Sequence, residues 1–175
     1  ALGKLNRAFD TNYEQFYIKY ASHDAGTVKK SGYATSSIRL QAMNQIKICY
    51  WNANGLSQHK IEVESFLKSQ SIDILLVSET HFTLKNCFRI KGYSVYDTKH
   101  PSGKACGGAA IIINNQISHF PMLEYKTEHI QASSICLSAT NITISSLYCP
   151  PRHKITDDQF ITFYKTLGNQ FIAAG

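Results

Sequence analysis

The feature that most constrains the fold of this chain is a pair of apolar runs separated by a segment with helical spacing. The runs are residues 46–51 and 72–77, and the segment between them, 57–70, begins at Ser57, which can cap a helix. A right-handed crossover places both runs in one sheet as parallel strands, with their carboxyl ends side by side. The sequence therefore predicts a strand–helix–strand unit in an α/β fold.

Polar side chains follow both predicted strands directly. Asn52 and Asn54 come after the first strand, and Glu79 and His81 come after the second. Open α/β sheets bind ligands at the carboxyl edge of their strands, so we expect these side chains to converge there. One carboxylate beside amide oxygens suits Mg²⁺, which takes one or two carboxylates, waters and phosphate oxygens. The structural alternatives are a surface-loop acid at Glu79 and a turn at Asn54-Gly55.

A third predicted strand points to the same edge. It covers 142–147, forms a hairpin with a strand over 130–137, and is followed by Tyr148. Pro150 and Pro151 then stiffen the loop and fix the phenol near the end of the sheet. A phenol can donate a hydrogen bond to a phosphate oxygen. The alternative is a tyrosine on the rim whose hydroxyl is satisfied by a neighbour.

The remaining pattern completes a mixed α/β sandwich. Short strands are predicted over 93–97 and 107–113. Thr156 and Gln159 form a capping box at the start of an amphipathic helix, and a last strand begins at about Phe171. Strands that first alternate with a helix and then form hairpins are typical of two packed sheets with helices outside them.

Residues 1–45 differ from the rest of the chain because they are rich in polar residues and have no sustained period. One short amphipathic helix is indicated by four aromatic residues at positions i, i+3, i+4 and i+7, namely Tyr13, Phe16, Tyr17 and Tyr20. We therefore divide the chain into an N-terminal extension, 1–45, which is upstream sequence or poorly ordered, and a domain, 46–175.

Charge and cysteine content narrow the class of protein. The chain has 18 Lys and Arg against 12 Asp and Glu, a net charge of +6, which mildly favours polyanionic partners. No apolar run approaches the roughly 18 residues of a membrane span, so we expect no membrane partner. The five cysteines are odd in number and contain no Cys-x-x-Cys pair, so neither a zinc site nor a disulfide framework is indicated. A reducing intracellular compartment fits this pattern best.

Four short motifs occur in an order that resembles a known superfamily. They read WNANGL, SETH, GGAAI and LYCPP, at residues 51–56, 78–81, 107–111 and 147–151. The order is similar to that of the endonuclease/exonuclease/phosphatase superfamily. The strongest likeness is to the apurinic-endonuclease-like domain of jockey-type non-LTR retrotransposons, and it covers 46–175. Asn54, where repair endonucleases usually carry Asp, and His81 favour the retrotransposon branch.

The resemblance implies a fold and a chemistry. It implies a four-layer α/β sandwich of two mixed sheets flanked by helices, incomplete at the C-terminus, and hydrolysis of DNA phosphodiesters with Mg²⁺, or alternatively Mn²⁺. By position Glu79 binds the metal and Asn52 completes the metal site by holding the metal-bound phosphate. Tyr148 orients that phosphate, and Asn54 and His81 contact the substrate.

The family pattern also extends past the last residue of this chain. It continues after Gly175 with an Asp and an Asn and later supplies a Ser-Asp-His segment. We therefore expect the 175-residue chain to lack a water-orienting Asp and a phosphate-binding His, and to be inactive alone. The implied partners are DNA and, in the intact polyprotein, a reverse transcriptase domain and the element RNA. The expected location is the nucleus.

Two other interpretations stay open. The first is a non-catalytic nucleic-acid-binding remnant of the same fold, whose contacts would come from loop bases, namely Lys99, Lys104, Arg152 and Lys154. The second keeps the superfamily but takes a phosphoinositide or small phosphoester as substrate, against which Asn54 and His81 argue by resemblance.

Overall fold

The computed structural model describes residues 13–21, 43–151 and 154–175, and for 13–21 and 43–45 it describes the backbone alone. The strands in these ranges are β1 (Tyr13–Ala21), β2 (Met43–Asn52), β3 (Ile74–Ser78), β4 (Tyr93–Thr98), β5 (Ala109–Asn114), β6 (His119–Pro121), β7 (Tyr125–Lys126), β8 (Gln131–Leu137), β9 (Ile142–Tyr148) and β10 (Phe171–Ala174). The helices are α1 (Lys60–Ser69), which follows a 3₁₀ turn (Leu56–His59), and α2 (Asp157–Leu167).

The strands form two sheets, and both are mixed. Sheet A has the order β1-β2-β3-β5-β4, and sheet B has the order β10-β9-β8-β6, with β7 also paired to β8. In sheet A β2 and β3 are parallel, in sheet B β9 and β10 are parallel, and the other pairs are antiparallel. The predicted α/β fold with two mixed sheets is confirmed.

The two helices cover the outer faces of the sandwich. Val63, Phe66 and Leu67 of α1 pack on the outer side of sheet A, in a core that includes Leu75 and Val77 of β3. On the other side, α2 inserts Phe163 and Leu167 against Ala132 and Leu147 of sheet B. The layers therefore follow the order helix, sheet, sheet, helix, as the resemblance implies. Among the described residues, no helix has the length and apolar character needed to cross a membrane.

The sheets meet face to face through alternate residues of their strands. Ile74 and Leu76 of β3 point into this interface, whereas their neighbours Leu75 and Val77 belong to the core under α1. Side chains of a strand alternate between its two faces, so a strand buried on both sides reads as one apolar run. This explains why 72–77 is almost uniformly apolar.

The predicted strand–helix–strand unit is present. β2 and β3 pair in parallel with Asn52 opposite Ser78, so both strands end at the same edge of sheet A. The predicted cap at Ser57 is wrong. Gly55, at φ 102°, precedes the 3₁₀ turn, and α1 begins only at Lys60 without a side-chain cap. The Ser57 hydroxyl instead accepts a hydrogen bond from the Asn86 side chain at 3.0 Å.

The predicted helix over the aromatic residues of 13–20 is also wrong. This segment is strand β1, antiparallel to β2, with Phe16 opposite Ile48 and Ile18 opposite Ile46. The sequence supports both periods, because Phe16, Ile18 and Tyr20 also alternate at every second position. Aromatic and β-branched residues favour strands, and pairing with β2 decides between the two periods. β1 therefore joins sheet A across the predicted boundary at residue 45, and the domain division stays a prediction.

The C-terminal elements follow the sequence closely. Thr156 and Gln159 form the predicted capping box of α2, with both reciprocal hydrogen bonds present. The strand predicted at about Phe171 is β10, which lies parallel to β9 with Ala174 opposite Ser146. β8 and β9 form the predicted hairpin, and Gln131 lies opposite Tyr148.

Candidate active site

Loops that follow β2 and β3 are joined by backbone hydrogen bonds beyond the ends of the strands. The amides of Gly55 and Leu56 donate to the carbonyls of Glu79 and Thr80 at 2.8 and 3.0 Å. The loop after β3 is bound in turn to the residues before β5, because the amide of His81 donates to the carbonyl of Gly107 at 2.9 Å. Three segments distant in sequence therefore form one framework at this edge.

Three polar residues of this framework have an unusual backbone conformation. Asn54, Glu79 and His81 adopt φ angles of 43°, 53° and 54°, in the left-handed region. Asn and His are enriched in this region among residues other than glycine, but for Glu it costs on the order of 1 kcal/mol. Such conformations persist where the surrounding structure fixes them, and they cluster at functional sites. The strain at Glu79 therefore favours a functional role for this edge.

Glu79 and His81 are side-chain neighbours. The distance from His81 Nε2 to Glu79 Oε2 is 3.9 Å, and the His81 and Glu79 side chains are 30% and 25% exposed. Thr80 lies between them in sequence but is buried, and its hydroxyl has no hydrogen-bond partner among the described residues. The Glu79 carboxylate is therefore mostly shielded from water but still accessible to a ligand from solvent.

Asn52 and Asn54 are both exposed and form a local turn. Asn52 Oδ1 accepts a hydrogen bond from the Asn54 amide at 3.2 Å, and the Asn54 carbonyl accepts one from Gln58 Nε2 at 3.3 Å. The structural alternative considered for Asn54-Gly55 is thus present as a turn. An amide oxygen has two lone pairs, so Asn52 Oδ1 keeps one acceptor position for a ligand.

Tyr148 reaches the same edge from sheet B. Its ring lies against Gly107, where an added β-carbon would be 2.7 Å from Tyr148 Cε1. The pKa of the Tyr148 phenol is raised above its ordinary value, mainly by burial and next by the negative charge of Glu79. The Tyr148 ring and the loop that carries Glu79 therefore meet at Gly107, although they come from different sheets.

Beneath these side chains, the two sheets meet through hydroxyl groups. Ser146 Oγ of β9 donates to the carbonyl of Val77 in β3 at 2.9 Å, and next to it, within sheet A, the Tyr50 and Ser78 hydroxyls lie 2.7 Å apart. A second bridge joins Thr98 Oγ1 to the carbonyl of Ala132 at 2.9 Å. We call this set the polar layer, and its members are Tyr50, Ser78, Thr98, Ser133 and Ser146.

Sequence reasoning missed one residue of this region, Gln131. It is fully buried at the start of β8, its side chain accepts a hydrogen bond from the Gly108 amide at 3.3 Å, and it lies opposite Tyr148. The available signal was a long polar residue at the start of an otherwise buried strand. That signal was weak because Gln is usually a surface residue.

The basic residues proposed for a non-catalytic function differ in their ion pairing and exposure. Lys99 pairs with Asp97, and Lys104 and Lys154 are exposed. Arg152 lies outside the described residues. The charge of Lys99 is therefore balanced by Asp97, whereas Lys104 and Lys154 are open to solvent.

The donor groups at the edge fit one hard divalent cation. Within the part of the chain that the structure describes, no cluster of three or more His, Cys, Asp or Glu side chains could hold a metal. Mg²⁺ takes one or two carboxylates and completes its shell with waters and phosphate oxygens. Glu79 and the amide oxygen of Asn52 are the side chains that would hold it.

Comparison with known proteins identifies relatives of the chain. No family model matches it. An RNA-directed DNA polymerase from mobile element jockey of Drosophila melanogaster is 36% identical over 132 residues, which are 74% of this chain and 14% of that protein. A probable RNA-directed DNA polymerase from transposon X-element of the same organism is 37% identical over 136 residues, 76% of this chain and 15% of that protein. This chain belongs to the jockey-type non-LTR retrotransposon family.

A solved structure supports the same assignment at the level of the fold. The endonuclease domain of TRAS1, a telomere-specific non-LTR retrotransposon, matches with a TM-score of 0.54 and 17% identity, over 73% of this chain and 57% of that chain. The jockey-type chain therefore has the apurinic-endonuclease-like fold that its motifs predict. It spans 14% and 15% of the length of the two polymerases.

Proposed function

We propose that this chain forms part of the active site of a metal-dependent phosphodiesterase that nicks DNA. This phosphodiesterase would be one domain of a retrotransposon polyprotein. The observation that carries the proposal is the meeting of the two sheets at Gly107, whose backbone lies against the Tyr148 ring and accepts a hydrogen bond from the His81 amide, in the loop that carries Glu79. Asn52, the third predicted site residue, is opposite the strand residue that precedes Glu79.

Each side chain has a distinct role in this proposal. Glu79 binds Mg²⁺ or Mn²⁺, and Asn52 holds the metal-bound phosphate. The bound metal supplies positive charge that stabilises the developing charge on the phosphate oxygens. Tyr148 donates a hydrogen bond to a phosphate oxygen, because a phenol is protonated at neutral pH and burial raises its pKa further. His81 and Asn54, both open to solvent at the edge, contact the substrate.

The pairing of β10 with β9 supports a position next to Tyr148 for the water-orienting group. β10 runs parallel to β9 with Ala174 opposite Ser146, so the next residue but one after Ala174 would be opposite Tyr148. The family resemblance gives an Asp directly after Gly175. A protein that carries this Asp would have its carboxylate beside the phenol, and the later His of the pattern would complete the site.

The corresponding partners are DNA and, in a polyprotein of the jockey type, a reverse transcriptase domain and the element RNA. The nick would leave a 3′-hydroxyl that primes reverse transcription, and the site of action would be the nucleus.

Nicking of supercoiled plasmid in the presence of Mg²⁺ tests the proposal. The product of the complete reading frame is expected to nick, and Glu79→Ala is expected to lower the rate by about 100-fold or more. Glu64→Ala on α1 is the matched control, because it removes a partly buried carboxylate away from the edge. The 175-residue chain alone is expected to be inactive, and efficient nicking by it that Glu79→Ala abolishes would refute that expectation.

Other outcomes would favour the other interpretations. DNA binding that depends on salt but not on Glu79 or Mg²⁺, without nicking, would identify a non-catalytic nucleic-acid-binding remnant. Release of phosphate from a phosphoinositide with intact plasmid would keep the phosphoesterase chemistry and change the substrate. Both assays use the same protein preparation as the nicking assay. A misfolded preparation would be inactive in all three assays, whereas a folded protein of another function would be active in one of them.

A further inference from the structure

Gln131 is a buried amide next to the candidate site. It is 0% exposed and lies opposite Tyr148 in the β8–β9 pair. A buried amide is costly unless its oxygen and nitrogen both find partners. The position of Gln131 therefore depends on the hydrogen bonds that it makes.

Those hydrogen bonds connect two separate parts of the fold. Gln131 Nε2 donates to the carbonyl of Thr127 at 2.7 Å and is 3.4 Å from the carbonyl of Glu128. Gln131 Oε1 accepts from the amide of Gly108 at 3.3 Å. The side chain thus ties the turn before β8 to the residues that lead into β5.

The ring of Tyr148 lies on the backbone that Gln131 holds. An added β-carbon at Gly107 would be 2.8 Å from Gln131 Oε1, and 2.7 and 2.9 Å from two carbons of the Tyr148 ring. Gly107 also accepts the hydrogen bond from the His81 amide, at 2.9 Å. The backbone at Gly107 is therefore in contact with the phenol on one side and with the loop that carries Glu79 on the other.

We propose that Gln131 is a positioning residue that holds Gly107 and Gly108 against the Tyr148 ring and so fixes the phenol relative to Glu79. Gln131 acts through Tyr148 and has no contact of its own with the reacting atoms. This inference rests on the proposed phosphodiesterase function, because only that function gives the position of the phenol a chemical consequence.

A double-mutant cycle tests the inference in the product of the complete reading frame. Gln131→Met keeps the length of the side chain and removes both polar atoms. We expect it to lower kcat for plasmid nicking about 10-fold or more with little change in KM, because small displacements of a reacting group have large rate effects. In a Tyr148→Phe background the same change is expected to alter kcat less than about twofold. Gln116→Met, at an exposed position, is the matched control and is expected to have no effect.

Equal loss of kcat in both backgrounds would mean that Gln131 supports the fold generally, and it would overturn the inference. An unchanged kcat for Gln131→Met would also overturn it. If Gln131→Met does not fold, Gly107→Ala presses on both the Tyr148 ring and the Gln131 side chain, and its effect on kcat is expected to depend on Tyr148 in the same way.

A second readout does not require activity. Nitration of Tyr148 by tetranitromethane, followed by peptide mass spectrometry, reports how firmly the ring is held. Gln131→Met is expected to raise the nitration rate of Tyr148 about threefold or more while that of Tyr93 stays unchanged. An unchanged rate at Tyr148 would overturn the inference. If the wild-type protein nicks no DNA, the proposed function fails, and the nitration result still decides whether Gln131 positions the ring.

Discussion

At one end of the sandwich the two sheets meet through isoleucine and leucine side chains, whereas at the other end they meet through the hydroxyl groups of the polar layer. The apolar end includes Ile74 of β3, Ile111 of β5 and Ile144 of β9, all fully buried. Two residues farther along the same face, β9 carries Ser146, which reaches β3 with a hydrogen bond of 2.9 Å. Both ends are buried, but a different interaction holds the sheets together at each.

The difference explains how polar residues can lie directly over a sheet-to-sheet interface. A buried hydroxyl costs free energy unless it is hydrogen-bonded, and those of Ser146 and Thr98 both have a partner in the opposite sheet. The interface can therefore become polar toward the edge where Glu79 and Tyr148 lie. The apolar end contributes mainly stability, and the polar end positions the candidate site.

The largest effect on stability is expected at the apolar end. Ile111→Ala removes a fully buried side chain from β5 and leaves a cavity, so we expect the free energy of unfolding to fall by about 2–5 kcal/mol. Urea unfolding followed by fluorescence measures this change. Ile61→Ala, at an exposed position of α1, is the control and should change stability by less than about 0.5 kcal/mol. A similar loss of unfolding free energy for both variants would contradict the claim that the apolar end stabilises the sandwich.

A smaller effect is expected in the polar layer. Ser146→Ala removes the hydrogen bond to the Val77 carbonyl and little apolar contact, so the loss should be about 1 kcal/mol. The same unfolding assay applies, and Ser138→Ala at the exposed β8–β9 turn is the matched control. A loss as large as that of Ile111→Ala would mean that the two ends do not differ in the proposed way.

At the site itself, truncation is expected to stabilise the protein. Glu79 has a φ of 53°, which glycine adopts without strain, so Glu79→Gly should raise the free energy of unfolding by about 0.5–1 kcal/mol. The same change at Glu64, inside α1, should lower it by about 1 kcal/mol because glycine is a poor helix former. If the free energy of unfolding falls equally in both variants, the backbone conformation of Glu79 does not destabilise the protein.

Much of the fold could be predicted from periodicity and helix signals. The two apolar runs and the helix between them indicated the parallel pair β2 and β3, and hence the proximity of Asn52 and Glu79. The capping box at Thr156 marked the start of α2 because its signal is local and needs no tertiary contact. Tyr148 could be added because prolines after a strand mark its end.

Other features depend on tertiary contacts that a sequence pattern does not show. The aromatic spacing in 13–20 fits a helix and a strand equally, and only the pairing of β1 with β2 distinguishes them. The serines of β8 and β9 look like solvent-facing residues, yet Ser133 and Ser146 are buried because each has a hydrogen-bond partner inside the sandwich. Gln131 was missed for the same reason, since its partners are backbone groups of other segments.

The most direct test of the account combines activity and stability in one variant, Glu79→Gln. This change removes the negative charge and keeps the size of the side chain. In the product of the complete reading frame we predict that Mg²⁺-dependent nicking per folded molecule falls about 100-fold or more, while the free energy of unfolding changes by less than about 0.5 kcal/mol. Nicking at the wild-type rate by folded Glu79→Gln protein would contradict the assignment of the active site to this edge.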